Sequence, residues 1–209
     1  MKYTQKSVTT GSASLTSPAA SGAQVGPFPA AAAFWPWQPS TWPAAPAKFN
    51  ATFIKTLKQI IDESVLGEIA NVIGDIKKSN EDLQHRGHVV AISLMCALDA
   101  ISSYGYRKHN VSKFVKAHFP DEYKPHANAL YKLYRNSMIH SWNLFKASML
   151  PGNEPITKTK GGTLAFGLLN FFQALQSGAE DFLNKLETDA HLQANTLNRY
   201  KELKKTAKP

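Results

Sequence analysis

The chain has 209 residues, of which 43% are hydrophobic and 19% charged, with one cysteine and a formal net charge of +9. That length holds one substantial core and a tail rather than two large domains. A single cysteine excludes an internal disulfide framework and any multi-cysteine metal site, and it fits a reducing, cytoplasmic setting. The positive charge gathers at the ends. Lys2, Lys6 and Lys48 stand without an acid in residues 1–50, and Arg199, Lys201, Lys204, Lys205 and Lys208 outnumber Glu202 in residues 192–209. The central region is near balance, and a basic total built from tails is weak support for a polyanionic partner.

Residues 7–47 contain no charge and are crowded with Ala, Ser, Gly and Pro, with seven of the twelve prolines at Pro18, Pro27, Pro29, Pro36, Pro39, Pro43 and Pro46. Proline removes backbone donors and breaks helices, so the apolar stretch Phe28 to Ala47 is not expected to span a bilayer. No compact apolar run follows the basic start, so a secretory peptide is not expected either. Residues 1–48 read as a disordered or extended Pro/Ala/Trp-rich segment, followed by an all-α domain over 49–207. The cluster Phe34-Trp35-Pro36-Trp37-Gln38-Pro39-Ser40-Thr41-Trp42-Pro43 suits docking on a groove or a neighbouring subunit, and equally an incidental tail.

Asn50 is placed to cap a helix carrying Phe53, Ile54, Leu57, Ile60 and Ile61 at helical spacing. The stripe continues through Val65, Leu66, Ile69, Val72, Ile73 and Ile76, with Gly67 or Gly74 expected to bend or split it. A second helix, His85 to Ser103, is apolar on most sides and therefore central. Cys96 falls in its run Val89 to Cys96, which predicts a buried, inert thiol. Gly105 to Asn110 reads as a connection, and Val111 to Phe119 as a short helix ended by Pro120. A longer helix is expected from about His126 to Lys146. Residues 148–162 read as the longest internal loop, and Thr163 as the cap of a helix running through Phe171 to Leu186. Leu192 to Lys205 reads as an exposed, basic last helix. No alternating strand pattern and no repeat is visible, so the fold class is all-α, a helical bundle of about five to six helices.

The chain has no P-loop, no Rossmann glycine pattern, no serine-hydrolase elbow and no HExxH. His85 and His88 lie three apart on a helix but lack a third ligand at suitable spacing, so neither a metal nor another cofactor is expected. His109, His118, His126 and His191 read as ordinary. The exception is Tyr134-Arg135-Asn136-Ser137-Met138-Ile139-His140-Ser141-Trp142. In a regular helix Arg135 and His140 are about 7.5 Å apart along the axis and roughly 140° apart around it, whereas Asn136 and His140 stack on one face. A core histidine satisfied by Asn136 or Ser137 accounts for this spacing. So does a polar strip opening into a cleft or a subunit seam.

Three pieces of the chain carry a family likeness: Leu98-Asp99-Ala100, then Phe114-Val115-Lys116-Ala117-His118-Phe119-Pro120, then Leu130-Tyr131-Lys132-Leu133-Tyr134 leading into Arg135-Asn136-Ser137-Met138-Ile139-His140. Together with the all-helical pattern they resemble the HEPN family and its R-x4-H signature, in which a polar residue such as Asn commonly follows the Arg. The resemblance implies a HEPN-like homodimer with two R-x4-H motifs in a composite cleft. It implies a metal-independent endoribonuclease in a toxin–antitoxin or other defence setting, with RNA as substrate and an antitoxin or another protein as partner. Arg135, Asn136 and His140 would be catalytic and Lys132 substrate-binding. Alternatively it implies a non-catalytic HEPN-like protein that binds a nucleotide, RNA or a protein through the same cleft. Family toxins silenced by nucleotidylation carry a Tyr two residues beyond the His; here that position is Trp142.

Overall fold

The N-terminal stripe forms one uninterrupted helical rod. The computed structural model describes residues 43–78, 83–106, 110–133, 147–150 and 152–206. Helix α1 (Ala51–Gln59) is capped by Asn50, whose side chain accepts from the Phe53 amide at 2.8 Å. It passes into a π-helical segment (Ile60–Gly67) and then into α2 (Glu68–Lys78). The π register has a cause in the apolar pattern. Ile60 and Ile61 are followed five residues later by Val65 and Leu66, and all four are buried. Bonding from i to i+5 widens the turn and brings residues five apart towards one face, which an α-helix does not do. Neither glycine splits the rod as the sequence suggested; Gly67 lies inside the wide turn, with the Asp62 carbonyl 3.0 Å from where its Cβ would stand.

Helix α3 (Leu83–Tyr106) is the axis of the bundle, packed by α2 and by three later helices. Leu94, Leu98 and Ile101 are wholly buried, and each such side chain contributes about 2 kcal/mol of apolar burial. Its segment Gly87–Tyr106 is long and apolar enough to cross a membrane, with mean hydropathy 1.4, yet 61% of it is buried inside the bundle. One expectation fails on this helix. Cys96 is exposed, because its position faces away from the core that Met95 and Leu98 enter. Partial desolvation by its helix, helped by Asp99, nevertheless pushes the thiol above its ordinary range, so exposure does not make it a ready thiolate.

Helix α4 (Val111–His118) ends at Phe119, which is extended as a residue before proline must be. A 3-10 turn (Asp121–His126) leads into α5 (Ala127–Leu133). The predicted loop over 148–162 and the helix start at Thr163 are corrected. Strand β1 (Ala147–Leu150) pairs parallel with β3 (Leu164–Gly167), which pairs antiparallel with β2 (Thr157–Lys158). Gly162, at φ 81°, turns the β2–β3 hairpin. Leu164 and Phe166 point into the core on alternate positions, as a strand requires. Gly167 then lies against Gly152 and Glu154 so closely that any Cβ would collide with their backbone. Helix α6 (Leu168–Leu186) begins only after this contact.

Helix α7 (Ala190–Thr206) is not the exposed helix its lysines suggest. Leu192, Thr196, Leu197 and Tyr200 are buried against the bundle, with Lys205 on the open side. The fold is all-α in its bulk, with a small three-stranded sheet of order β1-β3-β2.

Candidate functional site

Arg135, Asn136 and His140 lie outside the described residues, as do His109 and residues 1–42. Lys132 is exposed in the last turn of α5. No group of three or more His, Cys, Asp or Glu side chains that could hold a metal ion occurs among the described residues.

What the helices do bring together is a chain of four polar side chains. Tyr106 is the last residue of α3, His118 the last of α4, and Asp181 and Lys185 stand one turn apart on α6. Tyr106 Oη lies 2.7 Å from His118 Nε2, His118 Nδ1 lies 2.7 Å from Asp181 Oδ2, and Lys185 Nζ donates to the same oxygen at 2.8 Å. Lys185 also donates to the Ala117 carbonyl at 3.0 Å, meeting a free acceptor at the C-terminal end of α4.

The His118 side chain is 0% exposed while that of Asp181 is 42% exposed. Phe114 and Phe182 enclose the imidazole, with centroids 4.9 Å and 5.5 Å away. Burial pushes His118 below its ordinary value, against the pull of the Asp181 hydrogen bond. The ring is thus neutral near neutral pH. A carboxylate only accepts, so the ring proton sits on Nδ1, and Nε2 is left to accept from the Tyr106 hydroxyl. Burial raises Tyr106, with Asp189 and Asp181 adding to it, which keeps the phenol protonated as this pattern needs. Burial also works to raise Asp181, but the hydrogen bonds from Lys185 and His118 outweigh it and hold the carboxyl below its ordinary value. The arrangement converges on the carboxylate: the phenol donates to the imidazole, and the imidazole and the ammonium both donate to Asp181.

Tyr106 also lines a cleft of about 260 Å³, together with Gly105, Asn110, Lys113, His191 and Asn195. Asn195 Nδ2 donates to the Gly105 carbonyl at 3.0 Å and lies 3.3 Å from His191 Nδ1. The carbonyl fixes which end of the amide faces it, so His191 Nδ1 is an acceptor and the ring proton is on Nε2. His191 and Lys113 are both exposed.

Sequence reasoning set His118 aside as ordinary. The available signal was its position four residues after Phe114 and before Phe119, on the apolar face of α4, where a polar ring needs partners. Comparisons of this chain with family models, with curated proteins and with solved structures each find no match. The fold and the site define a helical-bundle protein with a small sheet and a polar cleft at the junction of α3, α4 and α7.

Proposed function

We propose that this protein is a HEPN-like, metal-independent endoribonuclease that works as a homodimer, in a toxin or defence context in the cytoplasm. The observation that carries the reading is the sequence Arg135-Asn136-Ser137-Met138-Ile139-His140, which begins two residues beyond Leu133 of α5 in a mostly helical protein. RNA supplies its own nucleophile. The 2′-hydroxyl gives its proton to a base and attacks the adjacent phosphorus; the bond to the 5′-oxygen breaks, and that oxygen takes a proton. An imidazole titrates near neutrality and suits these transfers, and a guanidinium beside the phosphoryl oxygens stabilises the charge that builds on them. His140 takes the first role and Arg135 the second, while Asn136 orients the ring or contacts phosphate. Lys132, exposed and four residues before Asn136 in the sequence, adds attraction for the backbone.

The test is cleavage of a mixed RNA pool in EDTA by the wild type, His140→Ala and Arg135→Ala, with dimerisation followed by light scattering. Activity should fall at least about a hundredfold in both variants, as expected for loss of a general acid–base group or of charge stabilisation. Wild-type turnover matched by a folded His140→Ala protein would remove the imidazole from the chemistry. Retained RNA affinity without cleavage in the wild type would favour a binding protein of the same fold, a reading supported by the near-balanced charge of the central region.

A further inference from the structure

We propose that the cleft between α3, α4 and α7 is a binding site for a small phosphate monoester that also bears hydroxyl groups, of the size and chemistry of a ribose phosphate. The polar side chains that line the cleft divide into donors and acceptors by the hydrogen bonds already made. Lys113 forms no ion pair among the described residues and offers a full cation. His191 offers its Nε2 proton, because Nδ1 is turned to Asn195. These two donors suit phosphoryl oxygens, which accept only.

The other two groups are acceptors. Tyr106, which lines the cleft, spends its proton on His118, so its hydroxyl has only lone pairs left for a ligand. Asn195 spends Nδ2 on Gly105 and His191, which leaves its Oδ1 to accept. A bare inorganic anion would leave both acceptors facing more negative charge, whereas sugar hydroxyls donate to them. Asn110, whose side chain makes no hydrogen bond among the described residues, provides either function. A volume of about 260 Å³ lies just below the usual range of small-molecule sites and suits a single sugar phosphate rather than a dinucleotide. The buried relay has a use here, since Asp181 and Lys185 fix the His118 tautomer and thereby the direction of the Tyr106 hydroxyl.

Ribose 5-phosphate, inorganic phosphate and ribose are titrated separately into the full chain at low salt, followed by calorimetry and amide chemical shifts. Ribose 5-phosphate should saturate with a Kd of about 1 mM or below, with phosphate and ribose each at least about tenfold weaker. Lys113→Ala should weaken it at least about tenfold, the exposed side chain leaving the fold intact by circular dichroism. Tyr106→Phe keeps the ring, and should bring ribose 5-phosphate down towards the affinity of phosphate while leaving phosphate itself unchanged. Lys205→Ala, on the open side of α7, should change nothing. Failure of ribose 5-phosphate to saturate, equal affinity for bare phosphate, or indifference to Lys113→Ala would each overturn the proposal. These variants leave Arg135 and His140 untouched, so loss of this ligand and loss of RNA cleavage are read separately.

Discussion

A neutral imidazole sealed between a phenol and a carboxylate ties the stability of this fold to pH at a single residue. His118 lies below its ordinary 6.5 because it is buried. Between that value and its folded pKa, the unfolded chain binds a proton that the folded chain refuses, and stability falls as pH drops through this window. Asp181 acts in the same direction lower down. Its folded carboxyl lies below 3.8, so its contribution is present above that value and is lost as pH falls through the lower folded pKa. The urea midpoint should therefore decline from about pH 7 to about pH 5, and His118→Gln should flatten the decline. At neutral pH that variant should cost about 1–3 kcal/mol, because the geometry linking Tyr106 to Asp181 is lost. A wild-type slope retained in His118→Gln would place the acid sensitivity elsewhere.

At the scale of elements, two glycines inside helices make opposite predictions. Gly74 stands in α2 with nothing within 4 Å of where its Cβ would be. Gly178 stands in α6, where a Cβ would meet the Phe119 ring at 2.7 and 2.9 Å. Alanine at a helical position otherwise compatible with it gains about 0.5–1 kcal/mol through propensity and the unfolded chain. Gly74→Ala should therefore stabilise by about that much, while Gly178→Ala should destabilise by about 1–3 kcal/mol as the aromatic cluster is displaced. Denaturant melts of both variants check the pair; a stabilised Gly178→Ala would mean that Phe119 has room to move. The same contrast shows what was legible in the sequence. The stripe from Phe53 to Ile76 announced a helix through its period, and Pro120 announced the end of α4. The sheet was hidden because Leu164-Ala165-Phe166-Gly167 runs straight into Leu168 and Leu169, and four apolar residues before a helix read as more helix. The Tyr106–His118–Asp181 relay was hidden for another reason. Its links span 12 and 63 residues, and only the packing of α3, α4 and α6 closes them.

At the scale of the whole molecule, the fold reaches further towards the N-terminus than its first helix. Residues 43–49 form no helix, yet Tyr200, in the middle of α7, donates its hydroxyl to the Pro43 carbonyl at 2.8 Å. Phe49 packs edge-on against Phe53 at 5.4 Å, and Phe53 against Tyr200 at 5.0 Å, so this short strap, α1 and α7 share one aromatic seam. Ala45 and Phe49 also rest on the core. The strap thus joins the two ends of the described fold, and its contribution depends on both anchors being present. The hydrogen bond is worth about 1 kcal/mol and the half-buried phenylalanine about as much again. A chain beginning at Asn50 keeps the α1 cap but loses both anchors. It should be less stable than a chain beginning at Pro43 by about 1–3 kcal/mol, measured from urea midpoints at equal slope. Tyr200→Phe in the longer chain should recover only the hydrogen-bonding part of that difference. Equal midpoints for the two truncations would show that the strap lies on the bundle without holding it, and that α1 and α7 are joined by their own side chains alone.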